Sequence, residues 1–168
     1  MPTPDEPRVI DGRHERHGRY FEELEEGVLY KHWPGRTITE AEDHLFCQLT
    51  SSSSPVHVDA HYAATELEWG RNVVIGLFVY SVTYGLSVPD MSGKAVVALG
   101  VSEIEHPAPL FHGDTLYSES RVVEKRESRS RPAMGIVTVQ TTGRNQREEA
   151  VCRFRRSFMV AKRPAATG

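Results

Sequence analysis

Apolar residues in the last third of the chain recur with a period of two. Leu116 and Val122 fall on one side of residues 115–123 while Glu119 and Arg121 fall on the other, and Cys152, Phe154, Phe158 and Val160 alternate with Arg153, Arg155 and Ser157. Such alternation predicts strands with one buried face. Residues 95–101 and 135–142 supply two further strands, and the turn-like 143–149 is short enough to dictate antiparallel pairing of the last two. An earlier strand is expected near 28–38. The middle of the chain differs: residues 72–88, NVVIGLFVYSVTYGLSV, carry no charge and are apolar on nearly every side, the pattern of a helix buried all round. Ahead of it, Thr39 followed three residues later by Glu42 forms a capping-box pattern that starts a short helix over 39–49, with His44, Leu45, Phe46 and Leu49. The polar run 50–55 ends in proline and reads as a loop, and 60–69 returns to helical composition before Gly70. These elements make an α+β domain in which an antiparallel sheet wraps one long central helix.

At 168 residues the chain is long enough for one compact domain with its own core. Residues 1–18 are rich in Pro, Arg, His and acids without a hydrophobic period, so they form an arm that is loose or packs only on a partner. The domain spans 19–162, and 163–168 is a frayed tail. A net charge of −3 supplies no basic field, which argues against nucleic acid. Cys47 and Cys152 stand alone, without a CxxC pair, so neither a disulfide framework nor a thiolate zinc site is indicated and a reducing compartment fits. The N-terminus has Pro, Asp and Glu where a signal peptide needs an apolar run. The 17 residues of 72–88 include Asn, Ser, Thr and two Gly, at the short edge of what spans a bilayer. The expected setting is therefore the cytoplasm, with no membrane partner.

Residues 46–63, FCQLTSSSSPVHVDAHYA, resemble the motif of the MaoC-like (R)-specific enoyl-CoA hydratases, which are hot-dog proteins. Phe46, Leu49, Thr50, Pro55, Val56, His57 and Ala63 match at the right spacing. WGRNVVIGL at 69–77 is similar to the start of the family's central helix, and PAPLFHGDTL at 107–116 to the strand that follows. ESRSRPAMGIV at 127–137 and RNQREE at 144–149 resemble the mesaconyl-CoA and itaconyl-CoA hydratase-like branch in particular. The resemblance covers most of residues 20–162. It implies a hot-dog fold and a hydro-lyase acting on an acyl thioester, with coenzyme A arriving as part of the substrate and no other cofactor.

Adding water to an enoyl thioester requires one group to take a proton from water and one to deliver a proton to the α-carbon. Charge builds on the thioester oxygen, where a backbone N–H at a helix start can stabilise it. The resemblance puts His57 at the catalytic histidine and Gly76 at the oxyanion donor, with Ile75 beside it in substrate binding. A histidine after a Pro-aliphatic pair also fits a second role, capping the next helix or bonding the backbone. Ser52 stands where the family has Asp, five residues before His57, and Ser54 where it has Asn. A serine hydroxyl orients water or a carbonyl but does not replace a carboxylate as a base. Asp59 reads as the N-cap of the helix from Ala60, and Glu42 and Asp43 as solvent-facing helix residues. The string His57, Asp59, His61 contains metal-ligand types, but at i and i+2 on a helix they diverge, so no metal is expected. Arg121, Lys125, Arg126, Arg129 and Arg131 cluster around one strand and turn; Arg129 and Arg131 are assigned to the phosphates of coenzyme A, the rest to solvated surface.

Three functions share this pattern: an enoyl-CoA hydratase or dehydratase, for which the resemblance also admits a branched or dicarboxylic acyl group of mesaconyl or itaconyl type; a hot-dog thioesterase, which needs a carboxylate to activate water; and a noncatalytic acyl-thioester-binding subunit, which the Ser52 and Ser54 replacements admit. A single sheet around one helix leaves an edge and an apolar rim that predict a homodimer or higher homo-oligomer.

Overall fold

The computed structural model describes residues 17–164. In chain order it contains a single 3-10 turn (Phe21–Glu23), β1 (Leu29–Lys31), β2 (Arg36–Thr37), α1 (Glu40–Leu49), α2 (Pro55–Val58), α3 (Ala60–Glu66), α4 (Gly76–Ser87), a π turn (Val88–Ser92), β3 (Ala95–Glu105), β4 (Thr115–Glu127), β5 (Met134–Arg144) and β6 (Ala150–Ala161). The sheet runs β1-β4-β5-β6-β3 with β2 also on β4, and all its pairings are antiparallel. It curls around α4, whose inward residues Phe78, Val79 and Val82 meet Leu116, Val151 and Phe154 in one apolar cluster. A second cluster, around Phe21, Leu24, Met91, Val139 and Phe158, fills the other end. This is the hot-dog arrangement, and the period-two segments are its strands.

Several boundaries differ from those read in the sequence. The strand expected over 28–38 is two short pieces, interrupted at Trp33 and Pro34, where proline removes a ladder donor. Helix α3 stops at Glu66 instead of running to Trp69, and α4 begins at Gly76, four residues later than the apolar run. Residues 72–75 are instead extended: Val73 bridges Phe111, and Val74 N–H donates to Leu110 O at 2.9 Å. Nor is α4 buried all round, since Leu77, Ser81 and Gly85 face outward in the single chain. Of the N-terminal arm, residues 1–16 lie outside the described residues, but Gly18 N–H donates to Pro89 O and Lys94 Nζ to His17 O, so residues 17 and 18 dock on this chain's own π turn. Arg163, at the start of the expected tail, is held by Glu22 and Glu23. The rest of that tail, from 165 on, is likewise outside the described residues.

Beneath the sheet, His32 is 4% exposed and sits in a polar chain. A carboxylate accepts, so Nδ1–H donates to Asp90 Oδ2 (2.8 Å); the bare Nε2 then accepts from Ser120 Oγ (2.9 Å), which in turn accepts from Thr141 Oγ1 (2.9 Å). Burial pushes the His32 pKa below the ordinary 6.5, against the opposing pull of Asp90. Below the ordinary histidine value the unfolded chain binds a proton that the folded chain refuses, so this site's stability is present above that value and is lost as pH falls beneath it. The thermal midpoint should drop between pH 7 and pH 5, and His32→Gln should flatten that drop. An unchanged slope in the variant would show that other groups set the acid sensitivity.

Candidate functional site

The loop bearing the motif is fixed at both ends by backbone chemistry. Helix α1 starts with the expected capping box: Thr39 Oγ1 accepts Glu42 N–H while Glu42 Oε2 accepts Thr39 N–H. Hydrogen bonds from Arg36 and Thr39 hold the Glu42 carboxyl down at about 2. The helix ends with Ser51 in the left-handed region (φ 58°), Ser51 N–H donating to Gln48 O and Ser52 N–H to Cys47 O. That is a Schellman cap with serine where glycine is usual. It places Ser52, half-buried, on the wall of a cavity of about 550 Å³ shared with His44, Cys47 and Val58.

Pro55 opens α2, where its missing N–H costs nothing, and Ser54 precedes it, exposed and without a side-chain cap bond. The single turn of α2 carries His57. Asn72, which the sequence did not single out, clasps this turn: its Nδ2 donates to the carbonyls of Pro55, Val56 and Asp59 at 3.0–3.2 Å. Val73 N–H donates to Val56 O beside it. The His57 ring is thereby set against the extended segment that leads into α4. Its Nδ1 lies 2.7 Å from Val73 O. A carbonyl only accepts, so Nδ1 carries a proton, and in the neutral tautomer this leaves Nε2 as a bare lone pair. Asp59 is the N-cap of α3, accepting Tyr62 N–H at 2.9 Å. Among the described residues no group of three or more His, Cys, Asp or Glu is arranged to hold a metal.

Asp43 corrects the sequence reading. It is not solvent-facing but 0% exposed, accepting Ile75 N–H on Oδ1 (3.1 Å) and His112 Nε2–H on Oδ2 (2.9 Å). One buried carboxylate thus anchors the start of α4 and orients a histidine, and its charge lies at the positive end of the helix. His44 packs edge-on against His112, with ring centroids 5.7 Å apart, and donates to His57 O. The Ile75 side chain is 7% exposed and belongs to the core, so its polar contact is through the backbone. Gly76 follows as the first residue of α4. Phe78 N–H and Val79 N–H both return to Ile75 O, while the Gly76 and Leu77 N–H groups have no backbone acceptor among the described residues.

The two arginines assigned to phosphate are not brought to this place within one chain. Arg129 and Arg131 lie exposed in the β4–β5 turn, and Ser128 Oγ accepts Arg131 N–H there. The sheet register puts that turn beside Ala95 and Val160, whereas the α4 start lies at the Glu105–Arg153 end. The other stretches of the resemblance do meet. Asp114 accepts from Phe111 N, Gln146 and Arg147, and although burial pushes its carboxyl up, these bonds hold it below the usual range. They tie 107–116 to 144–149 and fix the strand that underlies α4.

A family model described as mesaconyl-CoA hydratase matches residues 8–168. A mesaconyl-CoA hydratase of Cereibacter sphaeroides is 35% identical over 155 residues, covering 89% of this chain and 43% of that protein. The chain thus spans less than half the length of that relative. Among solved structures, a putative MaoC domain protein dehydratase from Chloroflexus aurantiacus superposes with a TM-score of 0.82 at 30% identity, over 92% of this chain and 44% of that one. A Mycobacterium tuberculosis protein described as having a double hot-dog fold gives a TM-score of 0.73 at 18% identity, over 90% of this chain and 46% of that one, a likeness of fold alone.

Proposed function

This chain belongs to the mesaconyl-CoA hydratase family, and we propose that it adds water to, or removes it from, the double bond of an enoyl thioester of coenzyme A, with a branched or dicarboxylic acyl group. The observation that carries this reading is the Nδ1–H of His57 donated to Val73 O, three residues before Gly76. It leaves Nε2 able to take a proton from water as the oxygen adds to the β-carbon, while the Gly76 N–H meets the charge that moves to the thioester oxygen. The α-carbon then takes a proton from the His57 imidazolium so formed as the enolate collapses, which restores the bare Nε2. Ser52 orients the water without acting as its base. Ser54 and the Ile75 backbone flank the acyl group.

The working unit is a homodimer or a higher homo-oligomer. β3 is an edge strand with Val96, Leu99, Val101 and Ile104 all 42–52% exposed, an apolar edge that a second copy would cover. Antiparallel pairing of two β3 strands reverses the ends of the second sheet, so the partner copy's β4–β5 turn would lie at the same end as this copy's Gly76. That supports Arg129 and Arg131 as phosphate contacts made across the interface. Sedimentation should show a dimer or larger at micromolar concentration, and a stable, fully active monomer would refute the assembly. The two free, buried cysteines suit a reducing compartment, the cytoplasm. Among the described residues no helix is long and apolar enough to cross a membrane.

The function is tested by mixing purified protein with a panel of enoyl-CoA thioesters, mesaconyl-CoA included, and following enoyl absorbance and free thiol together. Loss of absorbance without thiol is hydration. Thiol release indicates a thioesterase, and binding with neither change indicates a noncatalytic subunit.

A further inference from the structure

His106 follows the last residue of β3 and approaches the start of α4 from the sheet side. A β-carbon on Gly76 would stand 2.8 Å from His106 Nε2, 3.0 Å from Cδ2 and 3.1 Å from Cε1, so the edge of this exposed ring fills the space beside the glycine and would have to move for any side chain there. The antiparallel bridge of Val73 to Phe111 brings residues 106 and 76 together across thirty positions of sequence. In a helix the Cα–Cβ bond tilts toward the N-terminus. The ring therefore lies beside the first turn of α4, against Gly76. Its nearest atom is a nitrogen, and neither ring nitrogen has a protein hydrogen-bond partner among the described residues.

We propose that His106 is a second hydrogen-bond donor to the thioester oxygen, acting beside the Gly76 N–H. This rests on the hydration reading above. As water adds, the oxygen gains charge and the two donors, one backbone and one imidazole, both shorten onto it; the ring keeps its proton throughout, and the bond made or broken lies elsewhere. Two donors give the developing charge more stabilisation than one, and removing one donor of such a pair typically lowers kcat by about a hundredfold to a thousandfold.

The test uses the full chain with mesaconyl-CoA carrying a 13C thioester carbonyl. Three variants are compared with wild type: His106→Phe, which keeps a flat ring without a donor; His106→Gln, which returns an N–H; and Gly76→Ala, which keeps the backbone N–H but pushes the exposed ring aside. Wild type should lower the carbonyl stretch of the bound thioester. His106→Phe and Gly76→Ala should each lose much of that shift and about a hundredfold or more in kcat, with KM nearly constant, and the double variant should be no worse than either. His106→Gln should recover part of both. If His106→Phe keeps the full carbonyl shift and a kcat within about threefold of wild type, the proposal is wrong while hydration stands. If wild type binds and polarises the thioester without hydrating it, and His106→Phe abolishes that polarisation, the donor role stands and the hydration reading fails. If mesaconyl-CoA does not bind, both fail.

Discussion

His57→Ala is expected to lower kcat for enoyl-CoA hydration by about a hundredfold to ten-thousandfold, the usual contribution of a directly acting general acid or base. Binding should change far less. The reason is geometric: Val73 O holds the Nδ1 proton, so the lost atom is the bare Nε2, and no carboxylate stands at Ser52 to substitute for it. The structural cost is confined to one hydrogen bond to a backbone carbonyl, about 1 kcal/mol. The turn itself is clasped by Asn72 and Val73, neither of which touches the imidazole in doing so. Measuring the thermal midpoint and kcat on one preparation separates this from a purely capping role. That role predicts a lower midpoint with near-normal turnover, and such a result would end the assignment.

Asp43→Ala should produce the largest loss of stability among the site residues. The substitution strands the Ile75 N–H and the His112 Nε2–H in a place where the carboxylate is fully buried. An orphaned buried donor costs about 1–3 kcal/mol, so the pair amounts to roughly 3 kcal/mol, which for a domain of this size lowers the midpoint by about 6–12 °C. Comparison must be made at one protein concentration, because assembly adds to apparent stability. Asp43→Asn retains an acceptor for Ile75 and should recover part of the loss. Turnover should fall in both variants, since Ile75 immediately precedes the Gly76 donor. A midpoint within 2 °C of wild type for Asp43→Ala, an effect of about 1 kcal/mol or less, would show that water replaces the carboxylate.

Much of this molecule is local and therefore legible along the chain. A strand with one wet face must alternate, and β4 and β6 do. A helix start needs acceptors for its first N–H groups, and Thr39, Glu42 and Asp59 supply them in the predicted way. The motif that carries the family resemblance is likewise a run of neighbours, so His57 and Ser52 could be singled out from it, and Gly76 from the matching run 69–77. What no periodicity reports is the identity of a partner far away. Asp43 sits among acids in the first turn of α1, where charge normally faces solvent; only the fold brings Ile75 and His112, 32 and 69 residues distant, to its two oxygens. The apolar run from Asn72 looked helical throughout because apolarity does not distinguish a buried helix from a buried extended segment. Leu110 O and Asp43, by claiming the N–H groups of Val74 and Ile75, decided that the helix begins at Gly76. The same packing set His106 against that glycine, and the antiparallel register carried Arg129 and Arg131 to the far end of the sheet. Local sequence determined which residues could cap, alternate or transfer a proton; the tertiary structure decided which of them meet, because long-range hydrogen bonds and strand register are properties of the assembled sheet and not of any stretch of chain.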